Sequence, residues 1–265
     1  MGQKKMLPDN PALRAYQHLY GLIGYPLGHS FSQSYFNEKF SREGLTGHYY
    51  QAFPLESVSF FPELLETYPN LRGLNVTIPY KEQILPYLDY IEEGAAQIGA
   101  VNVIRCTAGK CRGYNSDVHG FEEDLGEFLE GHRQKIEAAL VLGMGGAAKA
   151  VVYVLKKWNI PYQTVSRTTG KSDLLFEEVD AGHIHRSQLI INTTPLGMAP
   201  AHDTLPKIPY DHLTQAHFLY DLVYNPSTTS FMAMGLQRGA RVRNGLGMLH
   251  KQAWKAWEFW NSPTG

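Results

Sequence analysis

Short apolar runs alternate with segments of helical periodicity along most of the chain. Val118, Phe121 and Leu125 recur at the three- and four-residue spacing of an amphipathic helix. Strands that alternate with helices in this way predict a mostly parallel α/β fold. The predicted elements are, in chain order, a strand over 20–25, a helix over 32–43, a strand over 48–53, a helix ending near 68, a strand over 71–76, helical segments over 80–98, strands over 101–106 and 110–114, a helix over 117–130, a strand over 139–142, a helix over 147–157, strands over 162–166, 189–192 and 218–222, and a last helix from 245.

The alternation restarts after residue 117, and this restart predicts two domains. At 265 residues the chain also exceeds the usual size of a single domain. We assign residues 1–116 and 241–265 to the first domain and residues 117–240 to the second.

Composition and charge limit the binding partners and the cellular compartment that we expect for the protein. A net charge of −1 argues against nucleic acid or an anionic membrane as the main partner. No apolar run has the length of a membrane span, and no apolar segment follows the first five residues as in a signal peptide, so the cytoplasm is the expected location. Cys106 and Cys111 could pair across a hairpin, but free thiols are the expectation for an intracellular chain. No spacing of His, Cys and carboxylate residues predicts a metal site, and both a monomer and a homodimer fit the composition.

A glycine turn between a predicted strand and a predicted helix indicates a dinucleotide site. Gly143, Gly145 and Ala148 match the pattern G-x-G-x-x-A. The first glycine permits the tight turn, the second lets the backbone approach a pyrophosphate, and the alanine keeps the helix close to the sheet. The phosphates would then lie against the free N–H groups of the helix N-terminus. The strand–turn–helix context favours this interpretation over a purely structural glycine turn.

The end of the following strand indicates which dinucleotide is bound. NAD-binding versions place an acidic residue about 20 residues further on. Here the strand ends in Ser166-Arg167-Thr168-Thr169, followed by Lys171, with no acid. An arginine, hydroxyls and a lysine suit a 2′-phosphate, so NADP is the predicted cofactor. The alternative is a solvated basic loop.

Two polar motifs contain candidate catalytic side chains. Pro79 suits the first position of a helix, and Ile78 before it is held in extended geometry. Lys81 would then lie in the first turn, where the positive end of the dipole eases loss of its proton, so it could act as a proton donor and acceptor. Ser116 is a plausible N-cap, and Asp117 opens the next helix, where a carboxylate is favoured. The alternatives are a surface lysine and an aspartate that only stabilises a helix start.

Taken together, seven motifs in chain order resemble those of the shikimate dehydrogenase family. The resemblance extends from about Tyr20 to Trp257. The matching segments are His29-Ser30-Phe31-Ser32, Asn75 to Lys81 (N-V-T-x-P-[FY]-K), Gly99 to Asn102 (G-A-x-N), Asn115-Ser116-Asp117 with Gly120 (N-T-D-x-x-G), Gly143 to Ala148 (G-x-G-G-A), Asn192 to Met198 (N-x-T-x-x-G-M), and Asn244 to Leu249 with Gln252 (D-G-x-x-M-L-x-x-Q).

The resemblance implies a fold, a reaction and a set of site residues. The fold would be an N-terminal α/β substrate domain and a Rossmann-like, doubly wound NADP domain, with the active site in the cleft between them. The reaction would be the reversible, NADPH-dependent reduction of 3-dehydroshikimate to shikimate in the pathway to chorismate and the aromatic amino acids. Lys81 and Asp117 would be the catalytic pair, with Asp117 holding the lysine side chain and accepting a substrate hydroxyl.

The same resemblance assigns the binding residues. The implied substrate contacts are Ser30, Ser32, Asn75, Thr77, Asn102, Gln252 and Tyr224, with a packed tyrosine as the alternative for the last. The implied cofactor contacts are Gly143, Gly145, Gly146, Ala147, Ala148, Ser166, Arg167, Thr168, Lys171, Thr193, Thr194, Gly245 and Met248. Met248 and Gln252 are four residues apart and share a helix face, so the last helix is expected to return the chain to the first domain.

Four positions depart from the family pattern. Gln33 replaces a proline, Ser116 a threonine, Ser166 an asparagine and Asn244 an aspartate. Two alternatives therefore stay open: a quinate/shikimate dehydrogenase that uses NAD, and a non-catalytic NADP-binding protein. Arg167 without an accompanying acid argues against the first alternative. The presence of both candidate catalytic residues argues against the second.

Overall fold

A computed structural model of the protein describes residues 9–28 and 31–262, which form two compact units. The first unit contains the described residues up to Ser116 and again from Ala253, and the second contains Asp117–Gln252. The predicted domains share the boundary after residue 116. The return to the first unit lies at Ala253 rather than at 241, because a strand over Arg241–Asn244 pairs into the sheet of the second unit.

A mixed six-stranded sheet forms the centre of the first unit. Its strands are β1 (His18–Gly24), β2 (His48–Pro54), β3 (Leu71–Val76), β4 (Tyr90–Ile91), β5 (Val103–Thr107) and β6 (Lys110–Tyr114), in the order β2-β1-β3-β5-β6-β4. Strand β1 is parallel to β2 and β3, whereas the β5–β6 hairpin is antiparallel. The helices are α1 (Phe31–Arg42), α2 (Phe61–Thr67), α3 (Tyr80–Gln83), α4 (Glu93–Ile98) and α5 (Ser116–Phe128), which continues into the second unit.

The two faces of this sheet bury different side chains, as alternation along a strand requires. Leu19 and Ile104 pack into a hydrophobic core of aliphatic and aromatic side chains on one face. Tyr20 and Val103, each next to one of them in sequence, pack on the other face with Trp260 from the last helix. The Trp260 indole N–H donates to the Ile104 carbonyl at 3.0 Å, which fixes that helix to the sheet.

A wholly parallel six-stranded sheet forms the second unit. Its strands are β7 (Ala139–Leu142), β8 (Tyr162–Ser166), β9 (Leu174–Leu175), β10 (Leu189–Asn192), β11 (Phe218–Asp221) and β12 (Arg241–Asn244), in the order β12-β11-β10-β7-β8-β9. The further helices are α6 (Gly146–Lys157), α7 (Ala181–Arg186), α8 (Ser230–Gln237) and α9 (Leu246–Asn261). The strand order reverses between β7 and β10, and the carboxyl ends at such a reversal are where doubly wound sheets bind ligands. The predicted Rossmann-like, doubly wound fold is confirmed.

Short 3-10 helices connect several of the strands and helices described above. The 3-10 segments are Pro11–Ala15, Val58–Phe60, Leu85–Tyr87, Arg133–Lys135, Phe176–Glu178 and Tyr210–His212.

Two predictions made from the sequence are wrong. The segment over 80–98 is not continuously helical, because Pro86 lacks an amide donor and the chain forms β4 before α4 begins. The expectation of free thiols is wrong: Cys106 and Cys111 lie opposite each other in the β5–β6 hairpin, 4.4 Å apart at Cα, and form a disulfide.

Neither a membrane span nor a metal cluster is found in the described part of the chain. Its helices lack the combined length and hydropathy to cross a bilayer. Its His, Cys, Asp and Glu side chains form no group of three or more that could hold a metal ion.

Candidate active site

A chain of hydroxyl and amide groups links α1, β2 and β3 in the first unit. Asn75, near the end of β3, is buried and accepts a hydrogen bond from the Tyr50 hydroxyl at 2.7 Å. Burial raises the pKa of Tyr50 well above its ordinary value, and a hydrogen bond with Ser32 partly opposes this. Ser32 and Asn75, two predicted substrate contacts, are therefore linked through a tyrosine that sequence reasoning missed. Ser30, a further predicted contact, lies outside the described residues.

Asn102 holds the start of helix α5. Its Oδ1 accepts from the Ser116 amide at 2.7 Å, and its Nδ2 donates to the Ser116 hydroxyl at 3.0 Å. The side-chain Nδ2 of Asn75 in turn donates to the backbone carbonyl of Asn102 at 3.4 Å. Because Asp117 is the next residue in the first turn of α5, Asn102 fixes the backbone that presents this buried carboxylate. Ser116, which replaces the threonine of the family pattern, keeps a hydroxyl that accepts from Asn102.

The predicted lysine motif leaves β3 and enters a very short helix. The Thr77 amide donates to the Ile23 carbonyl at 2.9 Å, and the Tyr80 amide to the Thr77 carbonyl at 2.9 Å. Pro79 precedes helix α3 rather than occupying its first position, and Lys81 is half-buried within it. The Lys81 carbonyl accepts from the Val101 amide at 2.8 Å, so the turn is held to the segment before β5. A helix of four residues has a short dipole, which weakens the dipole argument made from the sequence.

The glycine turn after β7 has the shape that a pyrophosphate requires. Gly143 has φ +105°, and a Cβ there would lie 2.7 Å from the Thr193 hydroxyl, so only glycine fits. Gly145 caps helix α6 and is exposed, and a Cβ there would meet nothing within 4 Å. Ala148 is fully buried against the sheet. The amino end of α6, with Gly146 and Ala147 in its first turn, therefore faces open space beside the turn, and a dinucleotide phosphate fits this space.

A buried carboxylate organises the loop on the other side of the switch point. The Thr193 hydroxyl donates to the Leu142 carbonyl at 2.9 Å, and the Thr194 hydroxyl donates to Asn192 Oδ1 at 2.6 Å. Asn192 Nδ2 then donates to Asp221 at 2.9 Å. Asp221 is fully buried, and burial raises its pKa to about 6. The carboxyl ends of β7, β10 and β11 are thereby tied together around the threonines.

The basic loop after β8 is shaped by Ser166. Its buried hydroxyl donates to the Thr168 carbonyl at 2.9 Å and accepts from the Thr168 amide at 3.1 Å. Arg167, Thr168 and Lys171 are left exposed. The next acid, Asp173, accepts from the Thr164 hydroxyl at 2.7 Å, which lowers the pKa of its carboxyl group. The exposed charges between residues 167 and 172 are both positive, which suits a 2′-phosphate, and the exposed Asp173 carries the next charge along the chain.

The last predicted residues surround the start of helix α9. A side chain at Gly245 would collide with the Leu222 carbonyl, and Met248 is buried one turn later. Asn244 Oδ1 accepts from the Leu246 amide at 3.1 Å, so the residue that replaces aspartate holds the turn that leads into α9. Gln252 Nε2 donates to the Leu249 carbonyl at 2.9 Å within the same helix. Tyr224 is partly exposed.

Tyr50 and Asp221 were missed from the sequence for different reasons. Tyr50 reaches Asn75 from another strand, and nothing in its local pattern distinguishes it from a core tyrosine. Asp221 had a usable signal, because it ends the apolar run Phe218-Leu219-Tyr220, and a lone acid there is unusual.

A doubly wound parallel sheet with a glycine turn at its switch point, joined in one chain to a second α/β unit, defines the class of protein. The class is that of two-unit α/β proteins with a dinucleotide-binding fold.

Comparisons with known proteins identify the family within this class. Residues 22–104 match the model of the shikimate dehydrogenase substrate binding domain. The shikimate dehydrogenase (NADP(+)) of Halothermothrix orenii is 37% identical, over 91% of this chain and 89% of the relative. The crystal structure of shikimate 5-dehydrogenase from Thermus thermophilus in complex with NADP(H) and shikimate is similar with a TM-score of 0.80 and 28% identity, over 93% of this chain and 94% of that one. Quinate dehydrogenase from Corynebacterium glutamicum in complex with NAD is also similar, with a TM-score of 0.82 and 26% identity, over 93% and 94%. The chain belongs to the shikimate dehydrogenase family.

Proposed function

We propose that the protein catalyses the reversible reduction of 3-dehydroshikimate to shikimate with NADPH. The observation that carries the proposal is the linked set of Ser32, Tyr50 and Asn75, of which Asn75 lies at the end of the strand that leads into the lysine motif. A dense set of short polar groups suits a small polyhydroxylated carboxylate. Relatives named shikimate dehydrogenase (NADP(+)) support the choice of substrate and cofactor.

The substrate contacts divide by the chemistry of the groups they would hold. Ser30 and Ser32 are proposed to bind the carboxylate. The ring hydroxyls are assigned to Asn75, Thr77, Asn102 and Gln252, with Tyr224 as a further contact. Because Asn102 already holds Ser116, the remaining amide hydrogen on its Nδ2 is the group that would reach a hydroxyl.

The residues of the second unit fit NADP. The turn from Gly143 to Ala148 would hold the pyrophosphate, with Thr193 and Thr194 beside it, and Ser166 to Lys171 would hold the 2′-phosphate. Gly245 and Met248 are assigned to the nicotinamide end. The cofactor, when bound, supplies the hydride, and the protein residues bind and orient the reactants.

Lys81 is assigned the proton at the reacting oxygen. During reduction, negative charge grows on the ketone oxygen, and an ammonium group there would stabilise this charge and donate the proton. In the reverse direction the neutral amine would accept the hydroxyl proton. Asp117 is proposed to accept a hydrogen bond from a substrate hydroxyl and so to orient the ring.

The test is an absorbance assay at 340 nm with Lys81→Met and Asp117→Asn variants. We expect Lys81→Met to lower kcat by roughly 10²–10⁴-fold, the usual contribution of a positioned acid–base group. Lys110→Met in the exposed β5–β6 hairpin is the matched control and should keep full activity. A loss of less than about tenfold in a variant that melts like the wild type would remove Lys81 from the chemistry.

Crossing shikimate and quinate with NADP and NAD in the same assay separates the alternatives. Comparable turnover of quinate or a preference for NAD would move the protein to the quinate/shikimate type. Saturable NADPH binding without turnover would favour the non-catalytic alternative. The expected cytoplasmic location, the absence of nucleic acid and membrane partners and the choice between monomer and homodimer stay predictions.

A further inference from the structure

A pocket of about 220 Å³ opens at the amino-terminal ends of the parallel strands in the first unit. His18 and His48, the first residues of β1 and β2, line it and stand opposite each other in register. Arg72 and Arg105, from the next two strands of the sheet, also line it. No carboxylate is among its lining residues in the described part of the chain.

The positive charges at this pocket have no counter-charge among the described residues. Neither Arg72 nor Arg105 forms an ion pair or a side-chain hydrogen bond with any of them. Arg105 also stands directly opposite Arg112 across the β5–β6 hairpin. Cross-strand neighbours of like charge destabilise a sheet. An anion bound at Arg105 in the pocket would offset part of this repulsion.

The pocket also contains polar groups that make no hydrogen bond to a described residue. Tyr20 is 3% exposed and lines the pocket, yet its hydroxyl makes no hydrogen bond within the described residues. Burial raises the pKa of Tyr20 to about 12, and the charge of Arg72 opposes the rise, so the phenol is a protonated donor near that guanidinium. Nδ1 of His48 is buried and likewise unpaired. Most buried polar groups have partners, so the unpaired ring nitrogen of His48 beside the free Tyr20 hydroxyl indicates a ligand.

We propose that this pocket binds a small oxyanion of the phosphate class, either inorganic phosphate or the phosphate end of a small phosphomonoester. The planar fork of an arginine matches the geometry of phosphate oxygens, and two arginines with a phenol supply donors from several directions. The volume is below the range of about 300–1,000 Å³ typical of pockets for larger ligands, so a dinucleotide is excluded.

The end of helix α9 opposes anion binding, but its charge is smaller than the attraction. Helix α9 ends at Asn261 beside the pocket, and a helix C-terminus carries roughly half a negative charge. The Asn261 side chain donates to the Trp257 carbonyl at 2.8 Å and satisfies part of this end. Two full guanidinium charges therefore exceed the negative charge of the helix end.

This oxyanion pocket is separate from the proposed active site. Strand β1 is seven residues long and spans roughly 20 Å from its amino end at the pocket to its carboxyl end near Thr77. The proposal therefore does not depend on the proposed function.

The test is isothermal titration calorimetry of the full chain with sodium phosphate, at constant ionic strength in a buffer free of phosphate. Saturating NADP fills the proposed cofactor site, and a repeat in an Arg167→Gln background controls for phosphate binding there. We expect saturable binding of one phosphate per chain. Glycerol phosphate in place of phosphate distinguishes a phosphomonoester from the free ion, because only an ester ligand would bind more tightly than inorganic phosphate.

Three variants assign the binding to this pocket. The double variant Arg72→Gln, Arg105→Gln should weaken binding by at least about tenfold, and Tyr20→Phe by several-fold without loss of thermal stability, since its hydroxyl has no partner to lose. Arg42→Gln, which removes one positive charge from an exposed arginine at the end of α1 outside the pocket, should leave the affinity within about twofold. Heat without saturation, or wild-type affinity in the folded double variant, would overturn the proposal.

Discussion

Asp221 is a residue whose ionisation should be visible in the stability of the whole chain. Burial raises the pKa of its carboxyl group from 3.8 to about 6. The folded protein therefore keeps this proton up to about pH 6, whereas the unfolded chain loses it near pH 4. The associated stability is full below about pH 4 and is lost as the pH rises through about 6. A shift of this size corresponds to roughly 2–3 kcal/mol.

The Asp221→Asn variant should abolish this dependence. An amide stays neutral, its oxygen can accept from Asn192 and the Val223 amide, and its nitrogen can donate to the Thr229 hydroxyl. Scanning calorimetry from pH 4 to pH 7 should show the melting temperature of the variant rising by roughly 5–10 °C relative to the wild type. Asp173→Asn is the control, and the pH dependence that it removes has the opposite sign, because the Thr164 hydrogen bonds lower the pKa of that carboxyl group. If the melting temperatures of the wild type and Asp221→Asn change equally with pH, Asp221 does not ionise in this range as expected.

Arg167 is the residue on which the predicted cofactor preference depends. Arg167→Gln should raise KM for NADP by roughly ten- to a hundredfold and leave KM for NAD nearly unchanged, because only NADP carries the 2′-phosphate. Initial rates at 340 nm with each cofactor measure the two values. Arg186→Gln, an exposed arginine at the end of α7, should change neither value. An equal change with both cofactors would refute the phosphate assignment.

At the scale of elements, an ion-pair cluster ties α5, β12 and α9 together in the second unit. Arg243 contacts the fully buried Asp124 twice, from Nε at 3.0 Å and from Nη2 at 2.6 Å. The Tyr220 hydroxyl donates to the same carboxylate at 2.6 Å, and Lys251 lies 3.6 Å from it. Arg243→Gln would leave a buried carboxylate short of its main partner, so we expect a loss of about 2–3 kcal/mol in the free energy of unfolding.

The matched control for this cluster is Arg238→Gln. Arg238 pairs with Asp211 at the protein surface, where an ion pair contributes about 0–1 kcal/mol. Urea denaturation of both variants at neutral pH makes the comparison. Similar midpoints for the two variants would show that the cluster does not stabilise the contacts between these elements.

A pair of glycines tests how closely elements approach. A Cβ at Gly73 of β3 would collide with the indole of Trp260 in α9, so Gly73→Ala should cost about 1–3 kcal/mol. Gly126 lies inside α5, and a Cβ there would meet only Trp158 at an ordinary 3.8 Å. Gly126→Ala should therefore stabilise the protein by up to about 1 kcal/mol. Thermal melts of the two variants on the same side of the wild type would refute this interpretation.

The elements that the sequence predicted well are those whose own pattern determines them. The strands over 139–142 and 189–192 match in both bounds and are mostly apolar runs. The strands over 71–76, 110–114 and 162–166 also match in both bounds, although they mix apolar and polar residues. Strands β4, β9 and β12 and helices α7 and α8 were missed. The run Arg241-Val242-Arg243-Asn244 has a single apolar residue, and it becomes a strand only because β11 offers a parallel edge. Pairing of that kind is not encoded locally.

At the scale of the whole molecule, the sequence motifs predicted residues of the candidate site but not the distant residues that hold them in place. The glycine turn, the basic loop and the lysine motif were read from short patterns with known physical roles. The supporting groups came from far along the chain. Tyr50 reaches Asn75 across 25 residues, and the Asp124–Tyr220 bond spans 96 residues. A single sequence does not show such pairs, because neither partner carries a local signal of the other.

The division of the chain into two units predicts where each ligand slows hydrogen exchange. Shikimate should protect residues 75–81 of the first unit most strongly. NADP should protect residues 143–148 and 166–171 of the second unit, because the turn and the basic loop would contact its phosphates. Exchange followed by mass spectrometry of peptides measures each segment with and without ligand. Residues 107–112 of the β5–β6 hairpin carry none of the assigned contacts and are the internal control.

NAD provides the matched ligand for this experiment, since it lacks only the 2′-phosphate. It should protect residues 143–148, where the turn meets the pyrophosphate that both cofactors share. It should leave residues 166–171 exchanging as in the free protein, because Arg167 and Lys171 would have no phosphate to bind. If NADP and NAD protect 166–171 equally, the basic loop does not recognise the 2′-phosphate. If neither cofactor protects 143–148, the glycine turn is structural and the dinucleotide site must be sought elsewhere in the chain.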